Sequence, residues 1–138
     1  ATEYVCWFVK GNKWVYNYED LKKLNPHKTK NGELKQMRDF LDFIELPIVQ
    51  GKERLHNNNG RAIHPTQKPE KLLEIIVMAS SKKGDIVLDP FFGTGTTGVV
   101  CSRLRRKWIG IEINRTYYRV AHRRLFITKR RKESYVKN

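Results

Sequence analysis

A short apolar run meets a glycine-rich turn in the stretch Ile86-Val87-Leu88-Asp89-Pro90-Phe91-Phe92-Gly93-Thr94-Gly95-Thr96-Thr97-Gly98. A run such as Ile86–Asp89 is typical of a parallel strand that is covered on both faces. The three glycines match G-x-G-x-x-G, a spacing that permits a tight strand-to-helix turn and the close approach of a ligand to a helix N-terminus. The stretch therefore predicts a strand, a turn and a helix, with a ligand site at the turn.

The flanking segments extend this prediction to an α/β fold. A helical pattern runs through Arg106, and Trp108-Ile109-Gly110-Ile111-Glu112 predicts a second strand, which completes one βαβ unit. Another helix is predicted over residues 70–79, where Pro69 marks its start. Its apolar positions share one face and are Leu72, Leu73, Ile76 and Val77. A last helix is expected over residues 115–126, followed by a charged tail.

The N-terminal part carries weaker patterns. Two runs rich in aromatic and β-branched residues, Tyr4-Val5-Cys6-Trp7-Phe8-Val9 and Trp14-Val15-Tyr16-Asn17, flank Lys10-Gly11-Asn12-Lys13 and predict a hairpin with a four-residue turn. Residues 18–60 are polar and basic, and we expect mostly loop there. Apolar residues at helical spacing predict one amphipathic helix within them, and these are Leu34, Met37, Leu41 and Ile44.

Composition and charge narrow the classes of partner. The chain has 138 residues, and 28 Lys and Arg against 14 Asp and Glu give a net charge of +14, which favours a polyanionic partner. Its apolar runs fall short of the roughly 18 residues that span a bilayer, and the N-terminus lacks a signal-peptide pattern, so we expect a cytoplasmic protein without membrane contact. Cys6 and Cys101 have neither disulfide-framework nor metal-site spacing, and both are expected to be buried.

The context of the glycine motif indicates a nucleoside ligand. Glu112 ends the second predicted strand, where a carboxylate can accept hydrogen bonds from both ribose hydroxyls. Asp89 would repel the pyrophosphate of a dinucleotide, whereas S-adenosylmethionine presents a cationic ammonium and a sulfonium. The charges therefore favour S-adenosylmethionine over NAD. The alternative for Asp89 is a purely structural role as a helix-capping or turn-forming residue.

Two motifs resemble those of the β class of S-adenosylmethionine-dependent DNA amino-methyltransferases. They are residues 89–97 together with Ile109-Gly110-Ile111-Glu112, and the preceding His64-Pro65-Thr66-Gln67-Lys68-Pro69. Their order after a target-recognition segment is that of the C-terminal part of this class. Three shorter segments resemble the HinfI-type and cell-cycle-regulated adenine methyltransferases, namely Asn17-Tyr18-Glu19-Asp20, Gln36-Met37-Arg38-Asp39 and Gly51-Lys52-Glu53-Arg54-Leu55. The resemblance extends to about Leu125.

The resemblance implies a set of cofactor contacts. Glu112 would hold the ribose of S-adenosylmethionine, and Ile113 would pack on the adenine. A hydroxyl and an ammonium, those of Thr66 and Lys68, would reach the carboxylate of the cofactor. The alternative for His64 and Lys68 is a solvated loop before the helix. The remaining implied contacts lie in the glycine-rich turn around the methionine end, and they are Asp89, Phe91, Gly93, Gly95 and Thr96. No metal site is implied.

The catalytic tetrapeptide of the family, Asp-Pro-Pro-Tyr or a close variant, does not occur in this sequence, so no catalytic residue is assigned. The resemblance then implies the C-terminal part of a Rossmann-like methyltransferase sheet, a βαβ unit plus an antiparallel hairpin. The catalytic strands would lie in a missing N-terminal half, on the same or a separate polypeptide. The expected divisions are an end-of-sheet hairpin (1–17), a target-recognition region (18–60), an S-adenosylmethionine-binding βαβ region (61–126) and a basic tail (127–138).

The implied function is methyl transfer from S-adenosylmethionine to the exocyclic amino group of adenine in double-stranded DNA, as in bacterial or phage-type restriction-modification. The chain alone is expected to be inactive, and a homodimer stays open. The alternatives are cytosine-N4 transfer and a non-catalytic basic nucleic-acid-binding module. An NAD-dependent oxidoreductase fits the glycine spacing but not Asp89. Lys and Arg dominate residues 118–138, which predicts either phosphate contacts or a solvated tail.

Overall fold

A computed structural model describes residues 4–24, 29–30, 33–34 and 46–135 of the chain. The described helices are α1 (Tyr18–Leu24), α2 (Glu70–Ser80), α3 (Thr96–Arg103) and α4 (Arg115–Tyr135). The described strands are β1 (Thr29–Lys30), β2 (Glu33–Leu34), β3 (Ile86–Asp89) and β4 (Lys107–Gly110), and a 3-10 turn covers Gly51–Glu53.

The centre of the fold is the predicted βαβ unit. Strands β3 and β4 pair in parallel, with Ile86 opposite Lys107 and Asp89 opposite Gly110, and α3 connects them. Strand β4 ends at Gly110, although backbone pairing continues because the Ile111 amide donates to the Asp89 carbonyl at 2.9 Å. The prediction of an α/β fold with a small parallel sheet is therefore confirmed.

The two faces of this sheet differ. On one face, Val77 of α2 packs with the fully buried Val100 and Cys101 of α3, against Val87 and Trp108 of the strands. On the other face, side chains at alternate strand positions are more than half exposed, and these are Ile86, Leu88 and Ile109. The expectation that β3 is covered on both faces is thus wrong for the described residues, which cover one face.

Helix α2 forms over nearly the predicted residues, and it buries Val77 of the predicted face but also Ile75, which lies outside that face. Ile75 packs against Leu21 of α1, while Val77 packs against α3. The predicted face of Leu72, Leu73, Ile76 and Val77 assumed one apolar stripe. Because α2 lies between α1 and α3, its buried residues are instead divided between two sides.

Helix α1 was expected to be loop, and this expectation is wrong. Glu19 and Asp20 lie in its first turn, where carboxylates interact favourably with the helix dipole. Asn17 precedes the helix and ties it to the C-terminal end of α2, because its side-chain amide donates to the carbonyls of Met78 at 2.8 Å and Ser81 at 2.7 Å. The helix therefore depends on a tertiary contact that no local pattern shows.

The predicted hairpin over the first 17 residues does not form a strand ladder, which corrects that expectation. Residues 4–17 are extended around a bend at residues 10–12, and they form no strand. The two arms still meet, since the rings of Trp7 and Tyr16 lie 5.1 Å apart between centroids. The aromatic residues that predict strands here are used in side-chain packing between the arms, because β-propensity reflects packing more than a backbone preference. Burial, with Tyr18 nearby, raises the pKa of Tyr16.

Three further expectations are corrected or fall outside the described residues. Helix α4 continues to Tyr135, so the tail expected from residue 127 is helical along most of its length. Leu34 belongs to β2, and β1 and β2 pair in antiparallel fashion on either side of Asn31-Gly32. The remaining residues of the amphipathic helix predicted there, Met37, Leu41 and Ile44, lie outside the described residues.

The cysteines behave differently from one another. Cys101 is fully buried, as expected, whereas Cys6 is exposed, which contradicts the expectation for it. Burial raises the pKa of the Cys101 thiol to about 11, with Arg106 opposing and Asp89 adding to this effect. Cys101 therefore acts as a small core residue. None of the helices in the described ranges combines the length and apolar character that a membrane crossing requires.

Phe92 joins the turn after β3 to α3 and β4. Its ring stacks on Trp108, with centroids 5.2 Å apart and planes 20° apart. A Cβ added to Gly98 of α3 would lie 2.6 Å from Phe92 Cζ, and one added to Gly110 of β4 would overlap the ring. Both glycines are therefore required by the position of this ring.

We expect Gly110→Ala to destabilise the protein by about 1–3 kcal/mol, because its methyl group would overpack the Phe92 ring. The free energy of unfolding in urea measures this effect. Adding Phe92→Leu makes room for the methyl group, so the double variant should lose less than the sum of the two single variants. Full additivity would show that the ring does not impose the glycine.

Candidate functional site

A cavity of about 690 Å³ lies at the carboxyl ends of β3 and β4. Its walls come from the loops that follow both strands and from residues 64–68, so segments distant in sequence meet there. The structure brings the predicted site residues together around it, with the exception of Gly95. Those that line the cavity are Thr66, Lys68, Asp89, Phe91, Gly93, Thr96, Glu112 and Ile113.

Asp89 ends β3 and stabilises the glycine-rich turn, which we define as residues 90–95. Its Oδ1 accepts a hydrogen bond from the Phe91 amide at 3.0 Å, and its Oδ2 accepts one from Thr97 Oγ1 at 2.5 Å. The turn-forming role considered as the alternative for Asp89 is therefore present. It does not exclude ligand contact, because a carboxylate has about four acceptor positions and these bonds use two.

Glu112 connects the ends of the two strands. Its Oε2 accepts a hydrogen bond from the Gly93 amide at 2.7 Å, and its Oε1 accepts one from the Asn114 amide at 2.7 Å. Bonds from two amides fix the orientation of the carboxylate before any ligand arrives. The carboxylate therefore lies at the cavity wall in a defined position, with acceptor capacity to spare.

Each glycine of the motif has its own structural reason. Gly93 has φ of +54° and an added Cβ would lie 3.3 Å from His64 Nε2. Gly95 has φ of +81°, precedes α3, and an added Cβ would lie 3.0 Å from Cβ of Ala121 in α4. Gly95 therefore shapes the turn and its packing on α4 and does not line the cavity.

The segment His64-Pro65-Thr66-Gln67-Lys68-Pro69 forms the opposite wall. The His64 ring lies 4.5 Å from that of Tyr117 between centroids, and its Nδ1 accepts from the Thr66 amide at 3.2 Å. His64 is thus held against the cavity, while Thr66 and Lys68 are exposed to solvent at its rim.

Gln67 anchors this wall to the segment that precedes it. Its side chain is 7% exposed, its Nε2 donates to the Glu53 carbonyl at 2.7 Å, and its Oε1 accepts from the Leu55 amide at 3.1 Å. Glu53 in turn accepts a hydrogen bond from the Glu70 amide through Oε1, at 2.7 Å. This carboxylate supplies the cap that Pro69 cannot provide at the start of α2.

Two predicted contacts stand at the mouth of the cavity. Phe91 is 89% exposed and Ile113 is fully exposed. Because these apolar side chains have little protein around them, they offer surface on which a planar or aliphatic group could pack.

Sequence analysis missed Thr97 and Tyr117 as site residues. Thr97 lies within the glycine motif, but Tyr117 lies on α4, where no sequence pattern marks it.

A second cavity, of about 600 Å³, lies between β4 and α4. Its walls include Phe92, Trp108, Leu125 and Phe126, together with Ser102, His122 and Glu112, which lines both cavities. It lacks Asp89, Gly93 and Thr96. The first cavity is therefore the candidate site.

The polar groups of the cavity are mainly acceptors and carry both signs of charge. Two oriented carboxylates flank a glycine-rich turn at the start of a helix, and a lysine stands at the rim. Within the described residues, no group of three or more His, Cys, Asp and Glu side chains could hold a metal ion. The arrangement offers carboxylate acceptors for hydroxyl or cationic groups and an ammonium for an anionic group.

The chain is similar to known proteins over the region that contains both motifs. The DNA methylase family matches residues 1–123. The chain is 43% identical over 120 residues to the Type II methyltransferase M.HinfI of Haemophilus influenzae, covering 87% of this chain and 31% of that protein. It is 41% identical over 128 residues to the Type II methyltransferase M2.DpnII of Streptococcus pneumoniae, covering 91% and 42%. The crystal structure of the M1.HpyAVI-SAM complex is 48% identical, with 46% of this chain and 33% of that chain covered and a TM-score of 0.44.

The match runs through both motifs and through nearly all of the described fold. The chain spans less than half the length of the curated relatives that it matches. On the extent of the family match, this chain belongs to the DNA methylase family.

Proposed function

We propose that this chain is the cofactor-binding and target-recognition part of an S-adenosylmethionine-dependent methyltransferase that modifies the exocyclic amino group of adenine in double-stranded DNA. The observation that carries the proposal is the pair of oriented carboxylates, Asp89 and Glu112, on either side of the glycine-rich turn. Their charge suits a cationic ligand, and their position suits a nucleoside. Similarity to Type II methyltransferases supports a restriction-modification setting, and the HinfI-type motifs favour adenine over cytosine.

The residues present fit S-adenosylmethionine. Glu112 would accept from the ribose hydroxyls through the lone pairs that the Gly93 and Asn114 amides leave available. Asp89, Phe91, Gly93 and Thr96 would surround the methionine end, and Ile113 would pack on the adenine. Thr66 and Lys68 at the rim would contact the carboxylate of the cofactor. When bound, the cofactor supplies an electrophilic methyl group on its sulfonium.

The reaction also needs groups that orient the amino group of a flipped base. We propose that polypeptide outside these residues supplies them, through an Asp-Pro-Pro-Tyr-like motif. The exposed side chains of Ile86, Leu88 and Ile109 support this, because apolar sheet faces are covered in the complete α/β fold. In this proposal, residues 1–17 adjoin the added strands, residues 18–60 recognise the target and residues 61–126 bind the cofactor.

DNA contact would fall partly on α4. Arg115, Arg119 and Arg123 recur every fourth residue along this helix, and all three are exposed. Together with the net charge of +14, this row of cations suits the phosphate backbone. We define these three residues as the α4 arginine row.

We expect Glu112→Gln to weaken S-adenosylhomocysteine binding by about 1.5–3 kcal/mol, because it removes the charge from the acceptor that would hold the ribose. Calorimetry on the full-length protein that contains this chain measures the effect. The matched control is Glu19→Gln, which removes a carboxylate that is 74% exposed and remote from the site. An unchanged affinity in a folded Glu112→Gln protein would exclude the ribose role.

We expect residues 1–138 alone to transfer no methyl group to DNA, because positioning supplies several kcal/mol of the barrier and cofactor binding cannot replace it. The measurement is transfer of labelled methyl from S-adenosylmethionine to duplex DNA. Supplying the catalytic half, on the same or a separate polypeptide, should restore activity. Turnover by residues 1–138 alone would mean that an unrecognised catalytic group lies within them.

Replacing Arg119 and Arg123 by Gln should flatten the salt dependence of DNA binding. Each phosphate contact contributes a slope of about −0.9 to the plot of log binding constant against log salt concentration. The matched control replaces Lys82 and Lys83, two exposed lysines on the loop after α2, by Gln. A slope equal to that of the unmodified protein would remove the α4 arginine row from the interface.

A further inference from the structure

An arginine outside every sequence motif contacts the start of α3. Arg124 of α4 donates through Nη1 to Thr96 Oγ1 at 3.2 Å and to the Thr94 carbonyl at 3.4 Å. Through Nη2 it donates to Glu70 Oε1 at 2.6 Å. Its side chain is only 14% exposed. The guanidinium therefore joins the glycine-rich turn to a carboxylate at the start of α2.

Glu70 is itself held by several groups. Its Oε2 accepts from Arg103 Nη1 at 2.7 Å, and its backbone amide donates to Glu53 Oε1 at 2.7 Å. The Glu70 side chain is 25% exposed. Charge-assisted bonds of this length in partly buried surroundings are stronger than those between neutral groups. Glu70 thus presents a fixed acceptor to Arg124.

The geometry requires the planar fork of arginine. One nitrogen bonds to the turn and the other to Glu70, so the orientation of the first is set by the second. The ammonium of lysine is a point charge on a flexible stem and cannot reproduce both directions. Because Thr96 Oγ1 accepts from Arg124, this hydroxyl keeps its own hydrogen to donate elsewhere. Thr96 is 7% exposed and lines the cavity.

We infer that Arg124 is a positioning residue that sets the glycine-rich turn and the Thr96 hydroxyl for the methionine end of the cofactor, with Glu70 orienting its guanidinium. The inference rests on the proposed function, because it assigns a subsite of the same cavity. Arg124 bonds to Thr94 and Thr96, whereas Glu112, which would hold the ribose, is oriented by the Gly93 and Asn114 amides. Loss of Arg124 should therefore affect the two ends of the cofactor unequally.

Two ligands distinguish an effect at the amino-acid end of the cofactor from an effect at its nucleoside end. S-adenosylhomocysteine carries the amino-acid end, whereas 5′-methylthioadenosine shares the nucleoside and the thioether but lacks that end. In the full-length protein, Arg124→Gln should weaken binding of S-adenosylhomocysteine about tenfold and that of 5′-methylthioadenosine less than about twofold. Glu70→Gln should change the ratio of the two dissociation constants in the same direction. Calorimetry or competition binding gives both affinities.

The matched control is Arg105→Gln, which makes the same charge change at an exposed arginine on the turn after α3, outside the cavity lining, and should leave the ratio of the two affinities unchanged. Arg124→Lys keeps the charge and most of the packing, so it tests the inference even where Arg124→Gln fails to fold, and it should still show the selective loss. Equal effects on both ligands overturn the inference. An Arg124→Lys protein that binds both ligands as tightly as the unmodified protein does also overturns it. If the unmodified protein binds neither ligand, the proposed function itself fails.

Discussion

The site depends on the packing of one ring, that of Phe92. The ring occupies the space that side chains at Gly98 and Gly110 would fill, and it stacks on Trp108. A stacked aromatic pair contributes about 0.5–1.5 kcal/mol beyond the area that it buries. Since this packing draws the turn, α3 and β4 together, the Gly93 amide and the Glu112 carboxylate come within 2.7 Å of each other. The position of the cavity wall therefore depends on the hydrophobic contact between Phe92 and Trp108, which lies next to the wall.

The glycine-rich turn is held from three directions, and each uses a charged group. Asp89 holds it from the end of β3, Glu112 from the end of β4 and Arg124 from α4. Backbone amides satisfy only part of the acceptor capacity of each carboxylate. The two carboxylates can therefore order the turn and also accept hydrogen bonds from a ligand. Such preorganisation lowers the entropic cost of binding.

The sequence predicts those parts of the structure that local residue patterns determine. The βαβ unit and the cavity position of Glu112 were predicted because alternation, glycine spacing and strand ends are local features. Helix α1 was missed because Asn17 holds it to α2 across 61 and 64 residues of sequence. The partnership of Arg124 with Glu70 spans 54 residues, and an arginine on a basic helix gives no sign of it. The predicted hairpin was wrong because aromatic and β-branched residues indicate side-chain packing, which here joins Trp7 and Tyr16 without a strand ladder.

The cavity wall formed by residues 64–68 and the segment at residues 51–55 share one support. Gln67 lies inside the motif on that wall, and its amide group bonds to the backbone of both Glu53 and Leu55. Glu53 then caps the same helix whose first residue, Glu70, orients Arg124. A displacement of residues 51–55 would therefore strain the start of α2 and, through Glu70, the glycine-rich turn. The contacts join the segment that would follow the DNA target to the wall that would hold the methyl donor.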